Sequence, residues 1–237
     1  MKTTIINIPI KRLFIFAINL LFITWLSGCT STPNVRKSGN DTSGASKQTI
    51  SRSKNPANFA IVASTIGGAA GVVIEKYMEK QATALNRDLG GIALVERIGE
   101  GIKITVGSAV LFESDSYALS NTPQEQLRKM AETLTDYKDT ELLIAGHTDG
   151  TGDAKQNQIL SEKRAESLAD FLLAHNVPQL RIVTQGFGEQ TPKVSNGTDE
   201  GRRMNQRIEI AIVANQTLKK DAKRQAEQDK ISKKNGQ

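Results

Sequence analysis

The residues most able to do chemistry lie in one stretch, GHTDGTGDAKQNQILSEKRA, residues 146–165. A glycine-rich turn carries Asp149, and Arg164 lies further along in what reads as a helix. Asp153 followed by Gln156 is a cap pair that opens that helix. Stepping roughly 100° per residue, Leu160, Ala165, Leu168, Phe171 and Leu172 share one arc, and Arg164 and Asn157 fall inside it. Lys155, Glu162, Lys163, Glu166 and Asp170 fall outside. Arg164 is therefore the one formal charge on the side expected to be buried. A buried guanidinium without a partner is costly, so it should meet a carboxylate. Asp149, at the end of the strand that feeds the helix, is the candidate. Two arrangements satisfy both charges. They can close on each other as a salt bridge that ties loop to helix. Alternatively they stand apart and grip a zwitterion, Asp149 taking an ammonium and Arg164 a carboxylate in its rigid fork.

Other chemistries find less support. His147 and His175 are the only histidines. No serine sits in a G-x-S-x-G elbow. His147, Asp149 and Asp153 lack the helical spacing of a metal site, and DGTGD, residues 149–153, lacks the closing glutamate of a calcium loop. The expectation is no enzyme, no metal and no cofactor, with His147 packed beside the loop.

The elements that position Asp149 and Arg164 can be read in order. Ile102, Ile104 and Val106 alternate with Lys103 and Thr105, a half-buried strand, and Gly99-Glu100-Gly101 suits a hairpin turn before it. Thr122 as cap, Pro123 at the first helical position and Glu125 at the third predict a helix start, with Leu127, Met130, Ala131 and Leu134 on one face. Residues 140–146 read as a strand apolar on both faces, residues 153–177 as the long helix, and residues 181–187 as a strand. Residues 191–205 read as loop with a helical turn, and residues 206–214 as an alternating strand. This order predicts an α+β domain with a mixed sheet and helices packed on one face.

The stretches LFESDSYAL, IAGHTDGTGDAKQNQILSEKRAESL, RIVTQGFGEQTP and SNGTDEGRRMNQRIEI together resemble the OmpA-like C-terminal domain. That domain also occurs in peptidoglycan-associated lipoproteins and flagellar stator proteins. The resemblance covers roughly residues 102–214. It implies a β-α-β-α-β-β mixed sheet and non-covalent binding of peptidoglycan. It further implies that Asp149 and Arg164 hold the diaminopimelate of the stem peptide, with Asn157 and Thr148 around the ligand. Arg207 and Arg202 keep their places in the family's last motif. The motif usually ends N-R-R and here reads Asn205-Gln206-Arg207, so Gln206 removes a positive charge that can help neutralise the ligand.

The flanks tell a separate story. The formal charge of +6 lies in the two ends, while the middle of the chain is mildly acidic. That distribution argues against a domain built to hold nucleic acid. Lys2, Lys11 and Arg12 precede an uncharged apolar run, residues 13–28, the right length for a signal-peptide core. LSGC, residues 26–29, resembles the bacterial lipobox. On that resemblance residues 1–28 are a signal peptide, and Cys29, the single cysteine, is acylated and anchors the protein in a lipid bilayer. Thr30, in place of an aspartate, implies the outer membrane of a Gram-negative cell, with the protein facing the periplasm. Residues 29–58 read as a flexible polar tether.

Residues 59–89 follow, with small residues four apart at Ala63, Gly67 and Gly71 and at Ser64 and Gly68. This is the spacing that lets helices approach closely. It allows a helical hairpin or homo-oligomer, a shallow dip into a membrane, or a glycine-rich loop before a helix. The segment resembles the glycine-zipper stretch of YiaD-like lipoproteins, including the YMEKQ that follows. An alternative function is therefore a membrane-inserted or oligomeric envelope protein in which wall binding is auxiliary. The folded domain is expected over residues 91–215, and residues 216–237 as a basic disordered tail.

Overall fold

In a computed structural model of the chain, residues 56–235 are described. The expected signal peptide, Cys29 and most of the expected tether lie outside those residues. The described residues belong to one compact unit, which holds the whole described sheet and both hydrophobic clusters. It carries its own core and so has what a domain needs to fold alone.

Two helices, α1 (Pro56–Ser64) and α2 (Gly68–Asp88), come first. A hairpin follows, β1 (Leu94–Ile98) and β2 (Gly101–Gly107), then a short α3 (Ser108–Leu111) and α4 (Gln124–Asp136). Next come β3 (Thr140–His147), α5 (Ala154–Ala174), β4 (Ile182–Gly186), α6 (Asp199–Asn205), β5 (Arg207–Ala214) and α7 (Gln216–Asn235). The sheet order is β1-β2-β5-β3-β4. All neighbours are antiparallel except β3 and β4, which α5 joins as a crossover.

The alternation in β5 is expressed as two cores. Ile208, Ile210 and Ile212 face the main cluster with Ile102, Ile104, Val106, Leu142 and Ile144, under α2, α4 and α5. Ala211 faces the other way, where Ala57 and Ile61 of α1 cover it. Burying each such aliphatic side chain contributes about 1.5–3 kcal/mol. The expected mixed sheet is present, with α1 as an additional cover on its second face.

Two expectations need correction. The domain does not begin near Gly91. Ile74, Met78 and Leu85 of α2 are fully buried in the main core, and Pro56–Asn58, read as tether, already belong to α1. The C-terminal residues are not a disordered tail through 235. Leu218, Ala222 and Ala226 recur every four residues and bury one stripe of α7, which packs against α2. Of the readings open for residues 59–74, the fold shows a glycine turn between two helices. The helix breaks between Ser64 and Gly68, because Gly67 and Gly68 take φ of 67° and 63°, in the left-handed region. The freed backbone N–H groups of Ile66 and Gly67 donate to the Glu100 carboxylate at 2.9 and 2.5 Å. One smaller correction is that Pro123, not Thr122, occupies the cap position of α4. No described helix is long and apolar enough to cross a membrane.

Candidate functional site

The site forms where β3 ends and α5 begins. Close approach of α5 to the sheet sets its depth. A Cβ on Gly146 or Gly186 would collide with Ser161 of α5, so both strands carry glycine where the helix crosses. The Ser161 hydroxyl accepts from the Gly188 N–H at 2.9 Å and tightens the same contact. The Asp153 side chain caps α5 by accepting from the Gln156 N–H at 3.0 Å, as its spacing predicts. Three turns of helix then carry Arg164 inward, where it is 5% exposed.

Asp149 lies on the loop between β3 and α5, and that loop is held at several points. The Thr148 N–H donates to the Gly188 carbonyl at 2.9 Å, and its hydroxyl to the Asp149 carbonyl at 2.9 Å. The Asn157 amide donates to the Thr151 carbonyl at 3.0 Å and to Glu189 at 2.8 Å. One oxygen of the Asp149 carboxylate accepts from the Thr151 N–H at 2.8 Å, and the other from the Gln206 amide at 2.6 Å. Burial pushes the Asp149 carboxyl up, but the Gln206 and Thr151 hydrogen bonds outweigh it and hold the pKa below its ordinary value. Asp149 is therefore ionised at neutral pH.

Arg164 is held differently. Its Nε donates to the Ser116 carbonyl at 2.9 Å, and its guanidinium lies over the Phe112 ring, 5.4 Å from the centroid. Among the described residues its two terminal nitrogens have no hydrogen-bond partner and no ion pair. Burial lowers its pKa, and the Asp115 and Asp149 carboxylates act against that shift. Arginine titrates so high that it stays charged.

Asp149 and Arg164 do not pair with each other. Both line a cleft of about 220 Å³ together with Thr148, Asn157, Asp115 and Gln206. A second hollow of about 210 Å³ adjoins it, shares Asp115, Arg164 and Gln206, and is walled by α3 and Glu113. At roughly 30 Å³ per water, the first cleft has room for one amino-acid terminus. Two carboxylates and one guanidinium around such a space suit a ligand with a cationic and an anionic group.

Two expected site residues are placed elsewhere. Arg207 is buried, donating from Nε to Glu209 at 2.8 Å and from its terminal nitrogens to the Asn205 and Thr191 carbonyls. Arg202 pairs with Asp199 and donates to the Asn196 carbonyl at 2.8 Å. Neither lines the cleft, although the charge of Arg202 helps to lower the Asp149 pKa. Asp115 is a site residue that sequence reasoning missed. It has φ of 50°, which an aspartate tolerates better than most residues. Gln206 was identified only as a lost charge, yet it is the side-chain donor that orients Asp149.

His147 sits beneath this loop, fully buried and stacked on Phe187 at 5.4 Å, with Nδ1 2.9 Å from the Thr191 hydroxyl. Burial lowers its pKa to about 4, and the nearby Arg207 adds to that, against a smaller opposing pull from Glu209. It is neutral at pH 7 and part of the packing. Among the described residues no group of His, Cys, Asp and Glu could hold a metal ion.

Residues 111–206 match the OmpA family. Over 214 residues the chain is 31% identical to "Probable lipoprotein YiaD" of Escherichia coli K12, covering 85% of this chain and 98% of that one. Over 111 residues it is 37% identical to "Peptidoglycan-binding protein ArfA" of Mycobacterium bovis, covering 47% of this chain but 34% of ArfA. The solved structure of the cell wall anchor of the T6SS from Pseudomonas aeruginosa superposes with a TM-score of 0.51 at 29% identity, covering 55% of this chain and 97% of that one.

Proposed function

The chain belongs to the OmpA family, and from that premise we propose that it is a lipoprotein binding peptidoglycan without a covalent step, so linking membrane to cell wall. In this reading the cleft receives the free end of diaminopimelate in the stem peptide. Asp149 accepts hydrogen bonds from its ammonium, and the terminal nitrogens of Arg164 take its carboxylate in bidentate fashion. Thr148 and Asn157 hold the loop that presents Asp149. Acylated Cys29 anchors the other end in the outer membrane, and the domain faces the periplasm. The similarity to YiaD, a probable lipoprotein, to ArfA, a peptidoglycan-binding protein, and to the cell wall anchor of the T6SS supports the reading.

One observation carries the proposal. Asp149 and Arg164 line the same cleft, and each is held by neutral partners rather than by the other. A structural salt bridge would have closed the gap. A single weak site is enough for anchoring, because the wall repeats the peptide and a membrane tether raises its effective concentration.

The test is co-sedimentation of residues 50–237 with purified sacculi. That span keeps α1 and α2, which the core requires. Asp149→Ala and Arg164→Ala should each abolish pelleting while the circular dichroism of the fold is kept, and free diaminopimelate should release the parent protein. Undiminished pelleting of both variants would refute the site.

A further inference from the structure

A hollow larger than the cleft, a groove of about 540 Å³, lies between the N-terminal half of α2 and the C-terminal half of α7. Its floor includes Tyr77 and Ala226, and its rim carries Lys76, Lys80, Lys230 and Lys233 against one acid, Asp229. Lys230 has a single distant ion pair, to Glu227 at 3.9 Å, and among the described residues the other three lysines have none. Val72, on the groove wall, is 50% exposed.

We propose that this groove is a docking surface for an anionic phospholipid bilayer. The occupant follows from charge and shape. Four lysines around an apolar floor call for a partner that is anionic outside and apolar within, which is a headgroup layer over acyl chains. Lysine stems can lie along the apolar floor while their ammonium groups reach outward. Lysine, a flexible point charge, suits a fluid layer of headgroups better than a fixed bidentate partner. The chain's own residues 30–55 do not suit the groove, because Arg36, Lys37, Lys47, Arg52 and Lys54 outnumber Asp41 and give that segment the same sign. A second copy paired through the same face would set lysines against lysines.

The position of the groove makes the idea productive. The start of α2 abuts the β1–β2 turn, where Ile66 and Gly67 bind Glu100. The wall-binding cleft lies beyond the other end of β2, where Ser108 and α3 begin. At about 3.3 Å per residue, β2 separates the two by roughly 20 Å. A domain resting on lipid through the groove holds its cleft at the far end of the sheet, away from the bilayer.

The test is flotation of residues 50–237 with vesicles of phosphatidylcholine alone or mixed with phosphatidylglycerol. The protein should float with the mixed vesicles only, and high salt should release it. Lys230→Glu with Lys233→Glu should reduce flotation by roughly tenfold or more. Lys155→Glu with Lys193→Glu makes the same change in net charge near the cleft and should leave flotation within about twofold. Sacculus pelleting by the groove variant reports that it is folded, and keeps this result separate from the wall-binding reading. No flotation with phosphatidylglycerol, or equal flotation on both vesicles, overturns the proposal. So does equal loss in both double variants, which would mean net charge alone. A change in hydrodynamic size of the parent, abolished by the groove variant without vesicles, would assign the groove to a second copy and also overturn it.

Discussion

Arg164 and Arg181 are both buried arginines, yet they do opposite things. Arg181 stands just before β4, and every nitrogen of its guanidinium is engaged. It donates to the Thr140 carbonyl at 2.7 Å, the Leu134 carbonyl at 2.6 Å, the Tyr137 carbonyl at 3.1 Å and the Thr140 hydroxyl at 2.9 Å. It caps the C-terminal end of α4, where orphan carbonyls and the helix dipole favour a cation. Arg164 has one described hydrogen bond, through Nε, and turns its fork toward a cleft that also holds Asp149. Burial alone therefore does not mark a functional arginine. What separates them is whether the protein itself uses up the donors.

The largest effect should come from breaking Arg164. Arg164→Ala removes two charge-assisted hydrogen bonds to the ligand, each contributing about 1.5–3 kcal/mol. Sacculus affinity should fall by at least roughly a hundredfold, while stability changes by no more than about 1 kcal/mol. The reciprocal substitution is Arg181→Met. It takes the guanidinium donors away from three backbone carbonyls and should cost about 3–5 kcal/mol in urea unfolding. The molecules that remain folded should pellet with sacculi as the parent does. If Arg181→Met weakened binding without weakening the fold, or Arg164→Ala unfolded the protein, the contrast between the two arginines would fail.

Arg207 sharpens the comparison, because it lies near the cleft but behaves like Arg181. Its donors go to Glu209, Asn205 and Thr191, and His147 packs beside it. With a folded pKa of about 4 against an ordinary 6.5, His147 is depressed by burial. The unfolded chain therefore takes up this proton first as pH falls. Stability should drop between pH 6.5 and pH 4 and level off below, by up to about 3 kcal/mol from this residue. The Asp149 carboxyl, lowered from its ordinary value, stays charged through most of that window. Acid should thus weaken the fold before it weakens wall binding per folded molecule. Urea midpoints across this range should flatten in His147→Phe, and an unchanged slope would show that other groups carry it.

Much of this arrangement is legible in the sequence where local rules coincide with tertiary ones. The 3.6-residue period puts Arg164 among leucines, and Asp153 caps the helix that carries it. The strict alternation in β5 foretells its inward isoleucines. Elsewhere the local signal is weak. Residues 216–235 read as a solvated tail because their buried stripe is small, Leu218 and two alanines among lysines and glutamines. Their helix propensity is nevertheless high. Glycine spacing in residues 63–71 suggests helix contact, but the positive φ at Gly67 and Gly68 spends it on a turn. Asp115 reaches the cleft through folding at long range, and no neighbouring residue announces it. Arg207 was readable in principle. It lies two residues from Glu209 on one strand, so both side chains leave the same face and can pair.

Gln206 offers the finest test of what makes Arg164 available. It stands where the family resemblance leads one to expect arginine, and its amide donates to Asp149 at 2.6 Å. An arginine there would neutralise Asp149 and bring a second guanidinium into both hollows. The glutamine instead orients the carboxylate and leaves its charge intact, so the cleft keeps Arg164 as its one cation beside the carboxylates of Asp149 and Asp115. Removing that donor in Gln206→Ala should cost about 1 kcal/mol of binding, roughly fivefold in affinity for sacculi. The Asp149 pKa should rise, because the Gln206 hydrogen bond is the strongest of the contacts that lower it. Gln206→Arg should shift affinity by only a few-fold and make it more sensitive to salt. Carboxyl titration by NMR beside the pelleting assay separates the two consequences. If Gln206→Ala left both the Asp149 titration and the affinity unchanged, the glutamine would be a bystander, and the cleft's polarity would rest on Asp149 and Arg164 alone.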